Sequence, residues 1–464
     1  MEEENYVVGL DIGASKVSAA VGEIQSDGSL KIVGFHEKSV FPEDEAIKNG
    51  EIENAKRTTE LIDEVLQELS DNLDFNLESV NVNYANPDIS GHSHKGKVTK
   101  SGDNKQIQQA DVDKLINDVR VTFKTQPGRV VLHCMPQDFY VNDVKAGEKV
   151  VGKFGVQIGG DFYFLTSKNE SLSNYYYTLK NVTPKSNAAK LPHIEVDNLL
   201  LSPVADAFSV LDHTIDDKRN GVAIVNVGAD LTEICIFHKN GLRYFKAIPI
   251  AGNHITQDLR DAFHINYEEA EVLKKICGNL PSASISENEV AVIERKNDLA
   301  SIEVLLKNAS LVVEWRLKEI AAIIKSEITR SGFDGLLTNG IILTGGTASM
   351  GIAKDVFVEV CKIKSVRRAK ISSKIDLNGF EMLRRPKYST LLGLLLASNQ
   401  EFDSRMSNHI LKHATVVEPQ VEKFEKPETN SAKKDKDIKP PKRPLFERIK
   451  VMLTDEKDPM NDIY

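Results

Sequence analysis

Three short turns hold the residues of this sequence best suited to chemistry. They are Asp11-Ile-Gly13-Ala14-Ser15-Lys16, Asn226-Val-Gly228-Ala229-Asp230 and Thr344-Gly345-Gly346-Thr347. A phosphate needs backbone N–H groups that can approach it closely, and small residues at a turn allow that approach. Gly13, Ala14 and Ser15 make such a turn, and Lys16 adds a cation for the same anion. Asp11, at the end of the preceding strand, could orient the waters of a Mg2+ that bridges phosphates. Gly345-Gly346, read as a turn that opens a helix over residues 352–361, offers a second approach. One glycine-rich turn alone says little, because hairpins use glycine constantly. Three in this order point to a nucleotide.

Other chemistries find less support. Cys134, Cys235, Cys277 and Cys361 are scattered with no Cys-x-x-Cys pair, and read as small buried hydrophobes. His92 and His94 flank a turn-like Ser93 and read as exposed loop histidines rather than metal ligands. No Ser-His-Asp arrangement can be built from spacing. A formal net charge of −9 argues against a nucleic-acid binder, since neutralising phosphates needs a surplus of Lys and Arg. The longest aliphatic run, residues 391–397, is far short of the roughly 18 to 20 residues that cross a bilayer. The acidic start Met1-Glu2-Glu3-Glu4 is the opposite of a signal peptide, so an intracellular, non-spanning protein is expected.

The turns must be positioned by strands. Residues 6–24 read as two β-rich runs around the first turn, with a third strand at 30–35 after Asp27-Gly28. Residues 221–237 repeat that pattern, and Asn240-Gly241 leads into a strand at 242–248. Asp11 corresponds to Asn226 and Gly13 to Gly228, both at an offset of 215 (226 − 11). Two copies of one β-meander imply two similar lobes facing each other. Leu61, Ile62, Val65, Leu66 and Leu69 at helical spacing predict a helix over 54–69 that packs on the first sheet. Residues 85–165 read as an inserted α+β unit, with short strands such as 129–134 and a helix near 110–123. Further helices are expected at 256–263, 267–276 and 301–331, the last carrying Trp315 as a packing residue. A buried strand from 339 ends at Gly345-Gly346.

Beyond about residue 414 the chain turns Glu-, Lys- and Pro-rich, the composition of a disordered linker. After it, Leu445, Phe446, Ile449, Met452 and Leu453 fall on one face of a helix. Lys442, Arg443, Arg448 and Lys450 surround that face, the pattern of a helix lying in an anionic membrane surface. Each cation adds roughly 1 kcal/mol there, so attachment is reversible and gains from self-association.

Together these motifs resemble the actin/70-kDa chaperone/sugar-kinase superfamily, and most closely its FtsA family of bacterial cell-division proteins. Gly9-Leu-Asp-Ile-Gly-Ala-Ser-Lys16 is similar to the first phosphate motif, residues 224–234 to the second, and 341–347 to the adenosine motif. Ala270-Glu271-Val-Leu-Lys274 is similar to the ribose-contacting helix, which implies that Glu271 and Lys274 face ribose and base. Tyr388-Ser-Thr-Leu-Leu-Gly393 resembles the closing connecting segment. The resemblance implies a two-lobed α/β actin-like ATPase fold of duplicated β-sheet-plus-helix domains, with an α+β subdomain inserted in the first lobe. Its parts would be 5–84 and 166–220 (first lobe), 85–165 (insert), 221–252, 253–310 and 311–398 (second lobe), 399–441 (disordered linker), 442–454 (amphipathic helix) and 455–464 (acidic tail). It implies ATP with Mg2+, self-association into actin-like filaments, attachment to anionic lipid, and the FtsZ C-terminal peptide at 253–310. It also implies other divisome partners at the insert, and a place on the cytoplasmic face of the inner membrane at the septum.

Three departures weaken the nucleotide site. Asn226 stands where the family carries Asp, which removes a negative partner for Mg2+. Asp230 sits where a phosphate prefers a bare amide. Ser202 precedes Pro203 where hydrolytic relatives carry Glu, and a serine cannot polarise water as a carboxylate does. ATP binding with little hydrolysis is the expectation. The alternatives are a small-molecule kinase of the same superfamily and a pilus-assembly adaptor of the same fold.

Overall fold

The structure is a computed structural model that describes residues 6–73, 77–100, 105–147, 149–183, 194–211, 216–295, 300–363 and 365–397. The expected linker, the amphipathic helix with Lys442, Arg443, Leu445, Phe446, Arg448, Ile449, Met452 and Leu453, and the acidic tail lie outside the described residues.

The chain opens with the meander β1 (Tyr6–Ile12), β2 (Lys16–Ile24) and β3 (Leu30–Ser39), followed by the small hairpin β4 (Ile47–Lys48) and β5 (Glu51–Ile52), α1 (Ala55–Leu73) and β6 (Ser79–Tyr84). The insert comprises β7 (Ser90–Thr99), α2 (Gln109–Thr122), β8 (Arg129–Val141), β9 (Val144–Gly147) and β10 (Gln157–Lys168). Next come α3 (Asn169–Lys180), β11 (Glu195–Leu201), α4 (Ser202–Val210) and α5 (Asp216–Asn220). The second meander is β12 (Val222–Val227), β13 (Thr232–His238) and β14 (Gly241–Ile248). It leads to α6 (Gly252–Phe263), α7 (Tyr267–Cys277), β15 (Val290–Ile293), β16 (Ile302–Leu305) and α8 (Leu306–Arg330). The described body ends with β17 (Ile341–Thr344), α9 (Ala353–Cys361), β18 (Val366–Arg368), β19 (Ile375–Asp376) and α10 (Ser389–Leu396).

The repeat read in the sequence is a repeat of topology. The first sheet has the order β11-β6-β1-β2-β3-β19 and the second β14-β13-β12-β17-β18. In each, an antiparallel meander is extended by two parallel strands on its first member. Every residue of β12 is buried, as expected for a strand covered on both faces. Helix α1 turns Leu61, Ile62, Val65, Leu66 and Leu69 inward and packs on β2 and β3, as its spacing predicts.

Two wholly buried helices join the sheets. α4 packs on β12 and β13 while α10 packs on β1 and β2, and the two cross each other. Their crossing depends on Gly393, because a Cβ there would lie 1.8 Å from the Ala205 carbonyl oxygen. The insert is a separate four-stranded sheet, β7-β10-β8-β9, whose core with α2 includes Leu115, Phe139, Phe162 and Phe164. The fold is therefore two-lobed and actin-like, with an inserted α+β subdomain.

Four expectations need correction. The long helix begins at Leu306, not 301, because residues 302–305 pair with β15. Trp315 is not a packing residue but 69% exposed, on the outer stripe of α8 with Leu311. His92 and His94 lie within β7 rather than at a turn, edge-on or tilted against Phe123, and the His92 Nε2 is 3.2 Å from the Thr166 hydroxyl. The strand expected at 129–134 continues to Val141. All four cysteines are buried and free, as read. Among the described residues no helix is long and apolar enough to cross a membrane.

Candidate functional site

The two turns are the same object. The Gly13 amide donates to the Lys16 carbonyl at 3.0 Å, and the Gly228 amide donates to the Leu231 carbonyl at 2.9 Å. Each closes a four-residue loop at the end of a buried strand.

On the first side, Asp11 is 9% exposed, with the Lys16 ammonium 3.4 Å from its Oδ2 and 2.7 Å from the Ser18 hydroxyl. Burial raises the Asp11 carboxyl above its usual range, against the pull of Lys16. Gly13 and Ala14 are half-buried and Ser15 is exposed, at the tip of the turn. Asn83 fixes the strand end, accepting from the Ile12 amide at 2.8 Å.

On the second side, Asn226 donates through Nδ2 to Asp206 at 2.8 Å and to the Thr390 hydroxyl at 3.2 Å. Asp206 is fully buried on α4 and also accepts from the hydroxyls of Thr344 (2.7 Å), Ser389 (2.8 Å) and Thr390 (2.8 Å). Burial pushes its carboxyl up to about 6, opposed by those four donors. Beside it, buried Glu233 on β13 is raised to about 8, by burial first and then by the negative charge of Asp206. Ser202 hydrogen-bonds Glu233, whose Oε1 has no partner.

The glycines show how closely the pieces meet. Gly345 has φ +87°, and a Cβ there would lie 2.5 Å from both Asn226 Oδ1 and the Val227 carbonyl oxygen. Thr347 donates to the Gly228 carbonyl at 2.8 Å, and the Gly252 amide donates to the same oxygen at 3.1 Å. The half-buried Ala229 accepts through its carbonyl from the Asn253 amide at 2.7 Å. Gly346 is exposed, with nothing in the way of a Cβ. Gly345-Gly346 does not open a helix directly: a short 3-10 turn over Thr347–Ser349 intervenes before α9.

Glu271 and Lys274 are spent on each other. The Lys274 ammonium pairs with the Glu271 carboxylate and donates to Thr256 (2.8 Å) and the Gly252 carbonyl (3.3 Å). Burial lowers the Lys274 pKa. The structure thus joins the second turn, Thr347 and the Glu271–Lys274 pair through Gly252.

Asp206 and Glu233 were not singled out from the sequence. Each is a lone acid in an apolar run, Ser-Pro-Val-Ala-Asp-Ala-Phe and Thr-Glu-Ile-Cys-Ile-Phe. That is the signal that could have found them, since a buried acid must find donors or keep its proton.

These groups do not fit a divalent cation held by the protein. Asn226 is neutral, Asp206 is filled by four donors, Glu233 favours its proton, and Asp11 remains alone with a lysine. Among the described residues no group of three or more His, Cys, Asp or Glu side chains is set to hold a metal. The turns and Lys16 do fit an anion.

Comparison with known proteins decides the family. The family described as "Cell division protein FtsA" matches residues 223–393, and "SHS2 domain inserted in FTSA" matches residues 87–166, the stretch that holds the four-stranded sheet and α2. Similar relatives include the "Cell division protein FtsA" of Pseudomonas aeruginosa, 27% identical over 88% of this chain and 92% of that protein. That of Escherichia coli K12 is 25% identical over 85% of this chain and 90% of its own length. The chain belongs to the FtsA family. A solved structure titled "PilM-PilN type IV pilus biogenesis complex" superposes with a TM-score of 0.60 at 12% identity, covering 84% of this chain and 97% of that one. At that identity the likeness concerns the fold alone. As an FtsA-family member the chain is an actin-like protein of cell division.

Proposed function

We propose that this FtsA-family chain is a membrane-tethered scaffold that binds ATP with little hydrolysis, self-associates, anchors FtsZ filaments and recruits later division proteins. The observation that carries the nucleotide part is the pair of turns closed by equivalent amide-to-carbonyl hydrogen bonds, one of them bearing Lys16. Gly13, Ala14, Ser15 and Lys16 would take one end of the phosphates, and Gly228, Ala229 and Gly346 the other. Glu271 and Lys274 would flank the sugar and base. A metal carried in by the nucleotide would meet Asp11 alone.

Little hydrolysis follows from Ser202. It has no carboxylate of its own and is engaged with Glu233, a group that burial keeps protonated. The segment 253–310, with α6, α7 and the β15–β16 hairpin, is the proposed FtsZ-binding part, and the insert is the proposed site for filament contacts and other division partners. The charged, apolar-faced segment 442–454 is the proposed lipid anchor, at the cytoplasmic face of the inner membrane. A fluorescent ATP analogue should give saturable binding with little dependence on Mg2+; no saturable signal removes the nucleotide. Sedimentation with anionic liposomes should be lost on truncation after Pro441; unchanged sedimentation removes the anchor.

A further inference from the structure

Asp230 is the one residue of the second turn that a phosphate site should avoid, and the structure shows it fully engaged. Its Oδ2 accepts from the Asn49 amide at 2.8 Å, and its Oδ1 accepts from the Asn253 side-chain amide at 2.7 Å. Asn49 lies in the first lobe, at the tip of the β4–β5 hairpin that leads into α1. Asn253 lies in the first turn of α6, in the second lobe, and also accepts from the Tyr267 hydroxyl at 3.3 Å.

The hairpin tip is shaped for this contact. Asn49 and Gly50 are both left-handed, with φ +50° and +76°. A Cβ on Gly50 would lie 2.1 Å from the Ala85 carbonyl oxygen and 2.9 Å from Leu231 Cδ1, so the tip is wedged between the end of β6 and the second turn itself. A main-chain amide aimed across a cleft at an anion is the donor that phosphate turns use. Here the anion is a side chain of the protein.

We propose that Asp230 is an internal substitute for a terminal phosphate, a latch that holds the two lobes together across the cleft without nucleotide. The proposal rests on reading the two turns as a phosphate cleft only for its consequence, not for the latch. That consequence is selectivity: a third phosphate meets the Asp230 charge and competes for the Asn49 amide, whereas a diphosphate does not reach that far.

Two full-length variants test this. Asp230→Ala removes the acceptor; Asp230→Asn keeps an acceptor oxygen for Asn49 and removes the charge. In hydrogen–deuterium exchange without nucleotide, peptides spanning residues 46–53 should be protected in the parent. They should exchange about 10- to 100-fold faster in Asp230→Ala, the range expected for losing a charged hydrogen bond. In Asp230→Asn they should remain largely protected. Fluorescent ATP should gain affinity relative to fluorescent ADP in both variants, roughly tenfold. Unchanged protection of 46–53 in Asp230→Ala, with circular dichroism unaltered, overturns the latch. Lost protection with no binding of either nucleotide by any of the three proteins supports the latch and overturns the phosphate-cleft reading alone.

Discussion

Lowering the pH from about 7.5 to about 5 should weaken this protein through one side chain, His133. It is 1% exposed on β8, opposite Leu165 of β10. Cross-strand partners share a face, and Leu165 belongs to the core that includes Leu242 and Phe245 of β14. Neither ring nitrogen of His133 has a hydrogen-bond partner, and burial alone lowers its pKa to about 4 from an ordinary 6.5. In the window between those values the unfolded chain holds a proton that the folded chain does not. Stability therefore falls as pH drops through 6.5 and levels off below about 4. The full effect is about 3 kcal/mol, and about 2 kcal/mol of it is lost by pH 5. His133→Leu removes both the titration and the unpaired nitrogens, so the variant should exceed the parent by about 1 kcal/mol at pH 7.5 and about 3 at pH 5. Urea unfolding of both proteins at both pH values gives this difference, in which all other titrations cancel. A gap between the proteins that stays constant to within about 0.5 kcal/mol refutes a neutral, unpaired imidazole.

Glu233 has the opposite sign: with its carboxyl raised to about 8, it stabilises at low pH and loses that contribution as pH rises from 4.5 through 8. Glu233→Gln should flatten this slope, with the stability gap between variant and parent widening from about pH 6 to about pH 8 in the same urea assay. Gly345→Ala forces a Cβ onto Asn226 and Val227 at a positive φ, and should cost at least about 1–2 kcal/mol and abolish binding of a fluorescent ATP analogue. Gly393→Val drives α10 off the Ala205 backbone and should cost roughly 1–3 kcal/mol or more in thermal melts, whereas Gly335→Ala, in open space, should be neutral.

The parts of the fold visible in the sequence were those set by local pattern. A glycine turn between two β-rich runs specifies its hairpin within about 20 residues, and it occurs twice. The spacing of Leu61 to Leu69 specifies the buried face of α1. Period failed where composition hid it. β7 reads Ser-Gly-His-Ser-His-Lys-Gly-Lys-Val-Thr, an alternating strand with almost no apolar residue to show the alternation. Trp315 lies on the outer stripe of α8, one turn from the partly exposed Leu311, so reading it as a packing residue because it is apolar placed it on the wrong face. Ile302–Leu305 continues the apolar run of α8 backwards, and only its pairing with β15 makes it a strand. The floor of the site was hidden for another reason. The donors to Asp206 come from positions as distant as Thr344, Ser389 and Thr390, so no local window contains the network.

That network explains why Asn226 is more than a lost metal partner. The space between the sheets already holds Asp206 and Glu233, with Asp11 close enough to act on Glu233 through its charge. Lys16 stands beside Asp11, and hydroxyls and the Asn226 amide surround Asp206. Glu233 has one partner and keeps its proton. A carboxylate at position 226 would remove a donor from Asp206 and add a like charge at hydrogen-bond distance in a buried setting. There the repulsion is several-fold stronger than in water and is relieved only by a cation or by keeping a proton. With aspartate at 226 the floor would need a cation or a further proton to balance that charge. With asparagine it is complete without either. The same logic holds at the rim, where Asp230 takes a backbone amide that a phosphate could take. Both residues therefore act in one direction: they join the two lobes through the protein's own groups, with neither a metal nor a phosphate in the contact.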